Sequence, residues 1–145
     1  NWNPNNSSCS RATYQDISYF PPHGGIRFLA TGNSDDYSSC VSIYQDIGIR
    51  PQAGQQFTFG VWLRSGHGPQ PPIYMALWAL GSGSQSAETS VSGLDGEAWR
   101  CYQVTLTVAA QDVSVLRAEV YLPNRNMDVH LDDVLVWPGD VQYCP

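Results

Sequence analysis

Residues 73–80, Ile-Tyr-Met-Ala-Leu-Trp-Ala-Leu, alternate as a strand does, yet neither of the two faces is polar. Ile73, Met75, Leu77 and Ala79 make one face suited to a core. Tyr74, Ala76 and Trp78 make a second that needs its own reason to exist. Two other stretches show the same surplus. Residues 56–65 bury Phe57, Phe59, Val61 and Leu63 and turn Thr58, Gly60, Trp62 and Arg64 the other way. Residues 115–122 bury Leu116, Ala118, Val120 and Leu122 and turn out Arg117, Glu119 and Tyr121. Flat rings beside a carboxylate and guanidinium groups suit a sugar, whose C–H face packs on the ring while its hydroxyls take bidentate polar contacts. If the three strands share a sheet, Gly60 and Ala76 form a shallow floor. Trp62, Tyr74, Trp78 and Tyr121 form its walls, and Arg64, Arg117 and Glu119 supply the polar partners. For Trp62 the alternative is packing beneath a loop, which the stretch Ser-Gly-His-Gly-Pro-Gln-Pro-Pro at 65–72 is long enough to provide.

Catalytic chemistry has less support. His23, His67 and His130 are dispersed, with no His-x-His or His-Glu-x-x-His spacing for zinc and no Gly-x-Ser-x-Gly. Glycoside hydrolysis commonly needs two carboxylates, and of the three outer faces only Glu119 supplies one. The expectation is a binder and not an enzyme.

Charge narrows the ligand. Seven cations, all Arg, stand against 13 carboxylates for a net charge of −6. That balance disfavours nucleic acid and anionic membrane surfaces. Only 14% of residues are charged, so the surface is built from Ser, Thr, Gln, Asn, Gly and Tyr. No run reaches the ~20 apolar residues of a membrane span and no signal segment opens the chain, so the sequence reads as a mature or excised piece. Cys9, Cys40, Cys101 and Cys144 are far apart and lack zinc spacing; they read as two disulfides of an exported protein, with free buried thiols the alternative.

No stretch has helical periodicity. Strands are expected near 11–17, 25–31, 41–49, 56–65, 73–80, 99–108, 115–122 and 128–137, separated by Gly, Pro, Asn and Ser clusters. The 145 residues suit a single domain, with 1–10 an irregular N-terminal segment and 138–145 a C-terminal tail. The expected fold is all-β: a two-sheet antiparallel β-sandwich with jelly-roll connectivity. One sheet would hold the second, seventh, fourth and fifth strands, and the other the first, eighth, third and sixth. In that arrangement Cys40 and Cys101 lie at opposite ends of their strands, which disfavours a bridge between them. The favoured pairing is Cys9–Cys40 with Cys101–Cys144; Cys9–Cys144 is the rival, leaving Cys101 to Cys40.

Residues 41–66, with a Gln-bearing strand, a Pro-x-x-Gly turn and a Trp before a basic residue, resemble the carbohydrate-binding modules found beside cellulases and xylanases. Residues 98–108 (Ala-Trp-Arg-Cys-Tyr-Gln-Val-Thr-Leu-Thr-Val) and 129–137 (Val-His-Leu-Asp-Asp-Val-Leu-Val-Trp) resemble later strands of the same superfamily in order and spacing. The resemblance covers roughly residues 25–137 and implies a galactose-binding-domain-like jelly roll without catalysis. It also implies a cleft on the concave sheet that takes an oligo- or polysaccharide, at positions matched by Tyr74, Glu119 and Tyr121. A monomer tethered to a larger enzyme or surface protein, extracellular or at the cell surface, is the implied setting. Family members commonly hold a structural calcium ion between an N-terminal Glu and an Asp of the Leu-Asp-Asp-Val strand. The Glu-bearing strand is missing before Trp2, but Asp133 follows Val129 and Leu131 in the inward register, where a carboxylate needs a partner. Calcium at Asp133 is one expectation; an Arg pair or backbone N–H caps are the others. The alternative to sugar binding is an extracellular adhesion or scaffold domain that uses the same aromatic face against a protein.

Overall fold

The computed structural model describes residues 2–4, 13–16, 22–32, 42–109, 111–124 and 126–145. Ten strands are described: β1 Asn3–Pro4, β2 Thr13–Asp16, β3 Arg27–Gly32, β4 Ser42–Ile47, β5 Gln56–Ser65, β6 Ile73–Gly81, β7 Gln85–Val91, β8 Arg100–Thr107, β9 Val113–Tyr121 and β10 Asp128–Pro138. They form two antiparallel five-stranded sheets, ordered β1-β4-β9-β6-β7 and β2-β3-β10-β5-β8. The fold is an all-β jelly-roll sandwich.

Strand alternation fixes the inward face as expected. Met75, Leu77, Leu116, Ala118 and Val120 of the first sheet meet Phe59, Val61, Leu63, Val129 and Leu131 of the second, all fully buried or within one per cent of it. All eight expected strands are present. The two additional ones are polar edge pieces. Asn3 and Pro4, in the segment expected to be irregular, pair with Tyr44 and Ile43. Gln85–Val91, which sequence composition marks only as a Ser-rich stretch, pairs along β6. The Gln85 side chain also ties this edge to the second sheet, donating to the Thr107 carbonyl (2.8 Å) and accepting from Ala109 N (2.8 Å).

The expected distribution of strands between sheets is corrected. Alternation says which side chains face inward but not which sheet a strand joins. The 66–72 connection, expected to return the chain to the same sheet, carries it across the sandwich, so β5 and β6 lie in opposite sheets. Likewise β3 joins the second sheet and β4 the first.

Cys101 and Cys144 form a disulfide with a Cα–Cα distance of 5.4 Å, as expected. It pins the C-terminal segment over the outer face of β5 and β8. The other expected pair, Cys9–Cys40, lies outside the described residues.

Candidate functional site

The outer face of the first sheet is organised in three rows by strand register. Across the centre run Asn3, Tyr44, Glu119, Ala76 and Glu88. On one side run Asp46, Arg117, Trp78 and Ser86; on the other, Ser42, Tyr121, Tyr74 and Ser90. Tyr74, Trp78, Arg117, Glu119 and Tyr121 are therefore brought together as expected. Tyr74 is 46% exposed, the most open large side chain of the group.

Trp78 and Tyr121 belong to opposite outer rows, so four residues of strand, about 13 Å, separate their levels. Their side chains lean toward each other over the central row, where Trp78 Nε1 donates to Tyr121 Oη at 2.9 Å. Ala76 lies in that row and is fully buried. A methyl group there leaves room for two large rings to meet. Tyr121 Oη in turn donates to Glu119 Oε2 at 2.8 Å, and Ser42 Oγ donates to Glu119 Oε1. Burial and the hydrogen bond to Glu119 raise the Tyr121 phenol well above its ordinary value.

A second polar unit flanks the first. Arg117 donates from Nε and Nη2 to the two oxygens of Asp46 at 2.7 and 3.1 Å, and its guanidinium lies 3.8 Å from the centroid of the Tyr44 ring. The Asp46 pair holds Arg117 in its charged form by raising its pKa. The Arg117 guanidinium thus covers one face of the Tyr44 ring. Ser42, Tyr44 and Asp46 were missed because their strand was expected in the other sheet. The signal was present: with Ile43 inward, alternation through 41–49 turns all three outward. Glu88 was missed with β7 itself.

Trp62 and Arg64 do not join this surface. They project from the outer face of the second sheet, as their register on β5 requires, and there they are covered. His23 stacks on Trp62 with ring centroids 3.7 Å apart and planes 15° apart. Arg64 is 3% exposed; its guanidinium lies 4.6 Å from the Trp99 ring and 5.6 Å from Phe28, and Nη2 donates to His130 Nδ1 at 3.2 Å. Burial lowers its pKa. Gly60 is no groove floor either. The Tyr143 ring lies on it so closely that a Cβ there would sit 2.2 Å from Tyr143 Cδ1.

Asp133 is also displaced from its expected position. A bulge between Asp132 and Leu135 interrupts the β10 register, Asp133 takes φ 44°, and its side chain is exposed. Asp133 Oδ2 receives a hydrogen bond from His23 Nδ1 at 2.8 Å, while Asp132 accepts from Gly24 N and from Asp133 N. Arg27 lines the same cavity of about 330 Å³ as the two carboxylates. Calcium takes six to eight oxygen ligands. Here two carboxylates already engaged stand beside a guanidinium, and among the described residues no three His, Cys, Asp or Glu side chains are grouped to hold a metal. Both carboxylates are thus engaged within the chain, and the burial expected at Asp133 is absent.

No family model and no curated protein matches the sequence. Solved structures do match the fold. The CBM22-1–GH10 modules of Clostridium thermocellum xylanase 10B, complexed with xylohexaose, superpose with TM-score 0.69 at 14% identity over 94% of this chain and 26% of that one. This chain thus spans about a quarter of that xylanase structure. The CBM22-2 xylan-binding domain of Paenibacillus barcinonensis Xyn10C gives TM-score 0.65 at 15% identity, covering 94% of this chain and 90% of that one. An enzyme shares the fold as well: the Stig cyclase Fisc from Fischerella sp. TAU gives TM-score 0.67 at 12% identity, covering 94% and 79%. At these identities the likeness, to binding modules and cyclase alike, is one of fold.

Proposed function

We propose that this chain is a non-catalytic carbohydrate-binding module that takes a glycan chain across the outer face of the first sheet, as part of a larger exported protein. The observation that carries the reading is the aromatic face, open at Tyr74, on which Tyr74, Tyr121, Trp78 and Tyr44 are held beside Arg117, Asp46 and Glu88. Rings rising from three rows of the sheet offer stacking surfaces for a sugar, and the polar groups beside them offer bidentate contacts to hydroxyls. Neighbours of the same fold, one a module beside a GH10 module in complex with xylohexaose and one described as xylan-binding, support a polysaccharide ligand and an enzyme-tethered setting. The non-catalytic reading is supported by the state of the carboxylates. Glu119 has both oxygens hydrogen-bonded and Asp46 has both on Arg117, and among the described residues of this face Glu88, which accepts from Ser86, is the one other carboxylate where hydrolysis commonly needs a pair.

The test is calorimetric titration with soluble xylan and mixed-linkage glucan, run alongside assays for release of reducing sugar. Saturable binding without release supports the reading. Absence of binding to any polysaccharide, with a folded protein, contradicts it.

A further inference from the structure

The hydrogen bonds across the first-sheet face run in one direction only. A carboxylate accepts and cannot donate, so the single hydroxyl proton of Tyr121 goes to Glu119 Oε2 at 2.8 Å. Tyr121 Oη then has only lone pairs left for Trp78 Nε1, which can only donate, at 2.9 Å. Ser42 donates to the other carboxylate oxygen. Glu119, 5% exposed, is the common end of both branches and lies beneath the surface that a ligand would meet.

We propose that Glu119 is a positioning residue of the binding platform and not a ligand contact: it fixes the Tyr121 hydroxyl and, through it, the plane of the Trp78 indole. The χ2 torsion of a Trp side chain is broad and roughly two-fold, so packing alone leaves a half-buried indole more than one orientation. One oriented N–H bond selects among them. A platform set before the ligand arrives avoids ordering two large side chains on binding. Ala76 is part of the device, because its small side chain lets the two rings bridge the central row.

This inference rests on the glycan-binding reading above, and the experiment separates the two. The indole N–H resonance of Trp78, assigned by its loss in Trp78→Phe, is followed in ligand-free protein, and affinity for soluble xylan is then measured. Tyr121→Phe keeps the ring and removes only the relay; it should shift that resonance, speed its exchange with solvent, and weaken binding roughly 3- to 10-fold, the loss of one oriented hydrogen bond. Glu119→Met keeps the bulk and removes the acceptor; it should shift the same resonance and weaken binding about as much as Tyr121→Phe. The double variant should bind no worse than Tyr121→Phe alone, as members of one chain do. An unmoved Trp78 resonance in Tyr121→Phe overturns the relay. So does an unmoved resonance in Glu119→Met, or a Glu119→Met loss additive with that of Tyr121→Phe, which would make Glu119 a direct contact. A resonance that responds as expected while no polysaccharide binds overturns the glycan reading and the purpose assigned to the platform, with the hydrogen-bond chain itself established.

Discussion

The two sheets carry the same kind of outward residue and treat it in opposite ways. β5 turns out Thr58, Gly60, Trp62 and Arg64; β6 turns out Tyr74, Ala76 and Trp78. On the second sheet the chain returns to cover them. Thr58 Oγ1 donates to the Gly139 carbonyl and accepts from Val141 N, and Gln103 Oε1 accepts from both Tyr143 N and Cys144 N. Tyr143 lies on Gly60, His23 lies on Trp62, and the Cys101–Cys144 bridge locks the cover down. On the first sheet the described outward side chains bond to one another instead, and Tyr74 remains open. Surplus aromatics on a strand therefore mark a surface that must be occupied. Only the tertiary arrangement decides whether the occupant is the chain itself or a ligand.

The comparison sharpens first where the core and the cover are strongest. Leu77 is fully buried between outward-facing Ala76 and Trp78. Leu77→Ala should cost about 2–5 kcal/mol of stability by chemical denaturation, as for other large-to-small core changes. Cys101→Ser should cost about 4 kcal/mol, the loop-entropy value for a bridge closing 43 residues. Neither should alter ligand affinity in the protein that remains folded. A loss of affinity in Cys101→Ser, at temperatures where it is folded, would mean that the covered face takes part in binding.

Gly60→Ala is the smaller break. The added methyl would meet the Tyr143 ring at 2.2 Å from Cδ1, and the nearby bridge limits how far the segment can retreat. Roughly 1–3 kcal/mol of destabilisation is expected from this overpacking. Increased quenching of tryptophan emission by acrylamide would show Trp62 uncovered. A variant as stable as the parent would mean that the C-terminal segment lies loosely on β5.

The smallest effect concerns acid. Burial pushes Asp128 upward, but His130 (Nε2 at 3.5 Å) and His67 (Nδ1 at 2.8 Å) outweigh it and hold the carboxyl below the usual range. A carboxyl depressed in the folded state adds stability above the unfolded value of about 3.9, and that contribution is lost as pH falls through the lower folded value. Asp128→Asn should therefore destabilise slightly at neutral pH and make stability less steep in pH below about 4. Parallel acid-unfolding curves for the two proteins would remove Asp128 from the account.

Much of this was legible in the sequence, and the failures share one cause. The inward and outward faces of β5, β6 and β9 follow from two-residue alternation, which is local. Sheet membership is not local. The 66–72 connection can return or cross, and nothing in its Gly-Pro composition distinguishes the two, so Trp62 and Arg64 were placed beside Tyr74 when they lie across the sandwich from it. β7 escaped because an edge strand of Gln, Ser, Glu and Thr has little apolar alternation to read. The turn at Asp133 escaped because a bulge shifts register by a residue without a glycine to announce it. The bridge of Cys101 to Cys144 was favoured on a sheet assignment that the structure corrects, so its pairing was met without its premise.

The most direct measurement is a pair of xylan titrations with Trp78→Ala and Trp62→Ala. Both remove one outward-facing tryptophan from a central strand, one on each sheet. Trp78→Ala should weaken binding by roughly 1–3 kcal/mol, the range for an aromatic anchor at a binding surface, with little change in stability. Trp62→Ala should leave affinity unchanged and lower stability, because His23 loses the ring on which it stacks. The reverse pattern, with affinity lost in Trp62→Ala and kept in Trp78→Ala, would put the ligand on the second sheet and contradict the assignment of the open face as the binding site.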